Sequence, residues 1–332
     1  MTGSAGFIGA RVVDSLLRRG FENIRCFVRP GSENPLLKAV LKEHPGNRCE
    51  VFQGNLLSRE DCAKAAAGVS VVYHLVAGRG KSFPGCFQGS VVTTRNLLDA
   101  VVAGKALKRF VNVSSFIIYS NRRLAQGAVW DESCPLEDDL EKRFDAYLYG
   151  KFKQDEIVRA YQEKHGLPYT IICPGIVFGP GRKALPGSLG LDTFGIFMRV
   201  GGAGRMPLTY VDNCADAIVL AGLVPGVEGE VFNVTDDDLP KSRSFLRQYK
   251  RRVERFRSRL DTLSARLRPL LALGALRGLV QGTAAPGVQP PQLRLLLEGA
   301  PLCQSEAQGP PRLGMPGAHE GRPGPLFQVS KR

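Results

Sequence analysis

Across its first 180 residues the chain alternates short β-branched or aromatic runs with longer stretches of helical periodicity. That alternation restricts the fold more than any other feature of the 332 residues. Strands are predicted at 24–28, 50–53, 71–75, 110–114 and 169–173. Between them apolar side chains recur at helical spacing, as in Ile8, Val12 and Leu16, then Val91, Leu97 and Val101, then Ile157, Val158 and Tyr161. Strict alternation implies βαβ units, and hence an α/β fold of the Rossmann type: a doubly wound parallel sheet with helices on both faces. From about residue 180, Gly- and Pro-rich segments leave one clear helix at 211–223 and one short strand at 230–234. That looser pattern predicts a smaller C-terminal lobe.

Charge is unevenly spread. The formal net charge is +14, yet residues 1–240 hold 28 Lys/Arg against 26 Asp/Glu, so +12 lies beyond residue 240. The body is electrostatically ordinary, and the basic stretch reads as a solvated helix face, with no nucleic-acid motif beside it. Residues 258–332 change character: Pro and Gly make up 20 of these 75 positions, and Ile, Asn, Tyr and Trp are absent. Such a segment is expected to be low-complexity and disordered, or translated out of frame from GC-rich DNA. The eight cysteines form no CxxC pair and have no histidine at ligand spacing, so no metal is expected and reduced thiols are. With neither a membrane-spanning apolar run nor a secretory leader after Met1, a cytoplasmic protein without a membrane partner is expected.

Residues 2–9 read Thr2-Gly3-Ser4-Ala5-Gly6-Phe7-Ile8-Gly9 and open the first helix. In this GxxGxxG spacing Gly3 would turn the chain, Gly6 admit a pyrophosphate to the backbone and Gly9 permit close packing. The free N–H groups and positive end of the helix would then face the phosphates. Such a turn normally follows a buried central strand, but only Met1 precedes Thr2. The first strand is thus expected to be missing and the sheet to be weakened at its middle. Arg29 falls about twenty residues after Gly9, where an acidic residue would bind a ribose 2′-hydroxyl; arginine there favours a 2′-phosphate, and so NADP over NAD.

Two Tyr-x-x-x-Lys pairs overlap between residues 147 and 153: Tyr147 with Lys151, and Tyr149 with Lys153. On a helix each lysine shares a face with its tyrosine, and an ammonium there favours the phenolate of a group that otherwise ionises near pH ~10. Upstream, Ser114 and Ser115 end a predicted strand at the sheet's carboxyl edge, where open α/β sheets bind ligands. His74 reads as a packed residue of a buried strand.

The ordered series TGSAGFIG (2–9), VYHLVAG (72–78), TTRNLLDA (93–100), VNVSSFIIY (111–119), YGKFK (149–153), PGIVFGPG (174–181), TYVDNCADAI (209–218) and VFNVTDD (231–237) resembles the NAD-dependent epimerase/dehydratase family, the extended short-chain dehydrogenases/reductases. The resemblance covers residues 2–250. It implies an NAD(P)-binding Rossmann domain over 1–180, a substrate-binding lobe over 181–257 interleaved with it, and a separate tail over 258–332. It selects Tyr149 and Lys153, the pair next to a Gly-Lys sequence, and Ser115, four residues before Tyr119, as catalytic. It further implies a cofactor site made by Gly3, Ser4, Ala5, Gly6, Phe7, Ile8, Gly9, Arg29, Asn55, Leu56, Val76, Ala77, Gly78, Pro174 and Val177 with Tyr149 and Lys153. The expected activity is NAD- or NADP-dependent hydride transfer by an epimerase, dehydratase or reductase, on a nucleotide-sugar. The alternatives are a hydroxysteroid- or dihydroflavonol-type NADP-dependent oxidoreductase and a non-catalytic dinucleotide-binding paralogue. A homodimer is expected by analogy alone.

Overall fold

The computed structural model describes residues 1–80, 82–120, 128–143, 145–182, 190–193, 196–199, 204–252 and 328–331. In chain order these form α1 (Phe7–Arg18), β1 (Arg25–Val28), α2 (Pro35–Glu43), β2 (Glu50–Gln53), α3 (Arg59–Ala66) and β3 (Val71–His74). Next comes α4 (Phe83–Phe87), which runs through a π turn at Gln88–Val92 into α5 (Thr93–Gly104), then β4 (Arg109–Val113), α6 (Leu140–Arg143) and α7 (Ala146–His165). The remainder is β5 (Tyr169–Pro174), β6 (Ile176–Phe178), β7 (Gly190–Thr193), β8 (Ile196–Arg199), β9 (Leu208–Tyr210), α8 (Val211–Leu223), β10 (Val231–Thr235), α9 (Ser242–Arg252) and β11 (Gln328–Lys331). The five strands predicted before residue 180 are β1 to β5, each within a residue or so of its expected ends.

The main sheet has two halves. β2 pairs with β1, and the order β3-β4-β5-β10 forms the other half, all pairs parallel. Between the halves stand only Met1 and Thr2. Thr2 bridges both Phe27 of β1 and His74 of β3; its N–H donates to Tyr73 O (2.9 Å), and the Phe27 N–H donates to Met1 O (2.8 Å). Two residues thus hold the place of the central strand and join the halves at their carboxyl ends. Within the tail, Gln328–Lys331 lies antiparallel to β10 at the sheet edge. The rest of 258–332 lies outside the described residues.

Every residue of β4 and β5 is buried, because helices cover both faces. Alternation splits the core accordingly. Val72, Phe110, Ile171 and Val231 face the cluster with Leu97 and Leu98 of α5 and Val158 of α7. Tyr73, Val111, Ile172 and Phe232 face the opposite cluster, with Val12 and Val13 of α1 and Ile218 of α8. No described helix is long and apolar enough to cross a membrane.

Arg109 ties the sheet to α8. It is buried; Nη1 donates to Ala221 O (2.8 Å) and Thr170 Oγ1 (3.2 Å), Nη2 donates to Val224 O (3.2 Å), and the guanidinium pairs with Glu228. These carbonyls close the C-terminal turn of α8, where helix acceptors otherwise lack partners. Arg109→Met strips those acceptors and leaves Thr170 short of a donor, so we expect a loss of about 3 kcal/mol in unfolding free energy. Urea denaturation with an unchanged m-value is the measurement; a midpoint within error of wild type would contradict the role.

Candidate active site

A cleft of about 1620 Å³ runs along the carboxyl edge of the sheet, over the Met1–Thr2 junction where strand order reverses. Ligands bind at this kind of switch point in doubly wound sheets. The glycine turn forms one end. Gly3 has φ +74°, and a Cβ on Gly9 would stand 2.0 Å from Gly3 O, so α1 can close against the turn only with glycine there. Gly6 is the N-cap of α1; no side chain caps it and the first turn carries no acid. The unpartnered N–H groups and positive helix end therefore face the cleft, as an incoming diphosphate requires. On this geometry the chain fits a dinucleotide cofactor.

Most residues expected from sequence come together here. Gly3, Ala5, Gly6, Phe7, Ile8, Gly9, Arg29, Asn55, Leu56, Val76, Ala77, Gly78, Ser115, Pro174 and Val177 all line the cleft. Three do not. Ser4 is turned inward, fully buried, and donates to Phe27 O at 3.2 Å. Tyr149 packs its ring edge-on against Phe83 (centroids 5.6 Å apart) and beside Phe87, and Lys153 reaches Glu156 at 2.7 Å. The tyrosine and lysine that do line the cleft are Tyr147 and Lys151. The reason is rotation: at about 100° per residue, positions two apart lie on opposite sides of a helix, so only one of the overlapping pairs can face the sheet. Helix α7 is set by Leu148 and Val158, both fully buried, and by the Asp145 N-cap, whose Oδ1 accepts from Tyr147 N and Leu148 N at 3.0 Å each.

Lys151 is buried. Its Nζ donates to Val113 O (2.5 Å) and Gln154 Oε1 (2.9 Å), and burial draws the ammonium down to about 8. Beside it, Asp155 accepts from Ser114 Oγ (2.5 Å) and Asn112 Nδ2 (2.7 Å), and burial raises its carboxyl to about 6. Ser114 is thereby committed to Asp155. Ser115 Oγ accepts from Ile117 N at 3.4 Å, opening a 3-10 turn, which leaves its own O–H for the cleft. Burial raises the Tyr147 phenol, and the guanidinium charges of Arg79 and Arg182 oppose that rise.

Arg79 and Arg182 were not singled out from sequence; each stands on a loop directly after a motif of the series, VAG and FGPG, which was the available signal. Arg182 Nη1 donates to Val177 O (3.3 Å), and its guanidinium lies 5.9 Å from the Phe7 ring centre. With Arg29 and Lys151 they give the described lining four cations and no carboxylate, although residues 1–240 contain 26 acids. Across from α7, the wall contains Ile176, Phe178, Leu208, Tyr210, Phe245 and Tyr249, from β6, β9 and α9. Among the described residues no cluster of His, Cys, Asp and Glu could hold a metal ion.

A family profile described as the NAD dependent epimerase/dehydratase family matches residues 1–235, and the chain belongs to that family. The chain is 28% identical over 253 residues to the 3 beta-hydroxysteroid dehydrogenase/Delta 5-->4-isomerase of Mycobacterium tuberculosis, covering 71% of this chain and 64% of that one. It is 30% identical over 245 residues to sterol demethylase protein B of Methylococcus capsulatus, covering 71% and 69%. Among solved structures, UDP-glucuronic acid 4-epimerase from Bacillus cereus, in complex with UDP-glucuronic acid and NAD, superposes with a TM-score of 0.60 at 21% identity, covering 75% of this chain and 81% of that one. The first curated relatives are matched over only 53% to 64% of their length. The family is described as NAD dependent epimerases and dehydratases, so the chain is an enzyme of that family with a Rossmann-type parallel sheet.

Asp155 makes stability depend on pH in a stated direction. Its folded pKa of about 6 lies above the ordinary 3.8, so the folded state holds the proton more tightly and stability falls as pH rises from about 4 to about 6. Two units correspond to about 3 kcal/mol. Urea unfolding across pH 4–7 should show this fall in the wild-type chain and lose it in Asp155→Asn; parallel profiles would contradict the assignment.

Proposed function

We propose that the chain is an NADP-preferring oxidoreductase or epimerase of this family, acting on a nucleotide-sugar, with Tyr147, Lys151 and Ser115 in the catalytic roles. The observation that carries this reading is the cleft lining of four cations without a carboxylate. In a body that is nearly neutral, a described lining with four cations and no carboxylate of its own favours ligands with several negative charges. Arg29, exposed just beyond β1 and without an acidic neighbour in the lining, favours a 2′-phosphate. Arg79 and Arg182, on the Tyr147 side, favour the diphosphate or carboxylate of an activated sugar.

A nicotinamide cofactor, when bound, supplies the hydride acceptor or donor. The glycine turn with the first turn of α1 would hold its diphosphate, and Arg29 with Ser32 would hold the adenosine end. Tyr147 takes the proton of the reacting hydroxyl and returns it in the reverse direction; Arg79 and Arg182 support the phenolate against the cost of burial. Ser115 donates its O–H to the same substrate oxygen and steadies the charge that develops there. Lys151, one helical turn from Tyr147, offers its remaining N–H to hydroxyls bound in the cleft. A second reading, a hydroxysteroid-type oxidoreductase, is favoured by the aromatic wall of Phe178, Tyr210, Phe245 and Tyr249.

Turnover separates the two. With a panel of UDP-hexoses, UDP-glucuronic acid and a 3β-hydroxysteroid, the nucleotide-sugar reading requires conversion of a UDP-sugar; oxidation of the steroid alone supports the second reading. Tyr147→Phe should lower kcat about a thousandfold while Tyr149→Phe stays within about threefold; the opposite ranking would restore the pair chosen from sequence. By calorimetric titration, Arg29→Ala should weaken NADPH about tenfold and leave NADH within about twofold. Equal effects on both coenzymes would remove the NADP preference, and binding of neither by wild type would remove the proposal.

A further inference from the structure

We infer that Gln154 is a positioning residue: its side-chain amide, locked in one orientation by Thr94 and Val76, fixes where the Lys151 ammonium stands in the cleft wall. The inference rests on Lys151 being the working lysine. It begins with one directional fact. Thr94 Oγ1 donates its proton to Ser90 O at 2.5 Å, so towards its other neighbours it can only accept. It accepts from Gln154 Nε2 at 2.9 Å, and the second N–H of that amide goes to Val76 O at 3.0 Å. Both amide donors are then spent, and Oε1 must face Lys151 Nζ, 2.9 Å away. A flipped amide would set NH₂ against an ammonium and an oxygen against a carbonyl, two repulsive contacts in a buried site.

The same logic fixes the next residue. His74 Nε2 lies 2.8 Å from Thr94 Oγ1 and so carries the hydrogen, while Nδ1 accepts from Thr2 Oγ1 at 2.8 Å. Burial holds this imidazole neutral, its pKa lowered to about 3. Gln154, Thr94 and His74 are all fully buried. Every donor path ends on a backbone carbonyl, at Ser90, Val76 or Val113, so the chain orients groups without carrying protons along itself. It links Thr2, at the glycine turn, to Lys151, at the catalytic helix, and commits two of the three ammonium hydrogens. The charged and titratable groups that act on Lys151 are Asp155 on its own helix, Cys173 on β5 and Arg79 after β3.

The test reads Lys151 directly and needs no substrate. Competitive acetylation of the full-length protein across pH 6–11, followed by peptide mass spectrometry, gives the ionisation midpoint of Lys151 in wild type, Gln154→Leu and Gln154→Glu. Removing the acceptor should lower the midpoint by about one pH unit, and placing a carboxylate there should raise it by at least as much. Loss of packing alone would not move the two variants in opposite directions. If the leucine variant fails to fold, the upward shift in the glutamate variant decides. A midpoint within about 0.3 units of wild type in each folded variant overturns the inference. Failure of the underlying reading looks different: Lys151→Met would keep wild-type turnover of whichever panel substrate is converted, whatever the titrations show.

Discussion

A lysine ammonium buried behind the carboxyl edge of the sheet is the constraint around which the site is organised. Taking such an ion from water costs several kcal/mol even after relaxation, and the cost is tolerable only where acceptors stand ready on more than one side. Lys151 finds them on β4, at Val113 O, and on its own helix, at Gln154, with the Asp155 carboxylate nearby. These contacts agree with the rotation of α7 that Leu148, Val158 and the Asp145 cap set. Once rotation is fixed, Tyr147 has to stand one turn earlier at the mouth of the cleft, and Tyr149 has to turn away towards Phe83 and Phe87.

The second fixed point is the glycine turn, and the two are joined. Thr2 bridges β1 and β3 through its backbone and reaches His74 through its hydroxyl. His74 continues through Thr94 and Gln154 to Lys151. The turn that would cradle a diphosphate and the helix that presents the phenol are therefore parts of one buried hydrogen-bonded framework. Their spacing is held by neutral groups that must each be satisfied, which is a stiffer arrangement than apolar packing alone because every misplacement leaves a buried polar atom without its partner.

Sequence periodicity made the sheet legible because short β-branched or aromatic runs alternate with helical stretches, and its inner strands β4 and β5 are buried on both faces. The helix 211–223 was equally plain, and His74 was correctly expected to be packed rather than exposed. The glycine turn was legible because backbone geometry demands glycine at Gly3 and Gly9 and leaves a spacing that survives in the sequence. The pair expected beside Gly-Lys, Tyr149 and Lys153, is not in the cleft lining, because adjacency to Gly-Lys was weighed above helical phase. The row Tyr147, Lys151, Asp155, next to buried Leu148 and Val158, carries the phase that faces the cleft. The Ser4 hydroxyl faces away from the cleft, since a small hydroxyl in a tight turn can face either way and here Phe27 O claims it. The wall residues of β6, β9 and α9 other than Val177 were not singled out: β6 and β9 are three-residue strands too short to show a period, and α9 lies in the basic stretch read as a solvated helix face.

The cleft brings two chemistries together. Its described lining holds Arg29, Arg79, Lys151 and Arg182 and no carboxylate, with Asp155 buried behind Lys151, and it also holds the aromatic and aliphatic residues of β6, β9 and α9. Fixed cations facing a low-dielectric wall interact more strongly with an anion than they would in open solvent, since water is excluded from one side of the field. A steroid would fill the apolar wall and leave two guanidinium groups without a counter-charge. A nucleotide-sugar brings both a flat base for aromatic contact and a diphosphate for the arginines. Charge separates the two readings because a diphosphate adds an attraction to the exposed Arg79 and Arg182 that a neutral steroid does not.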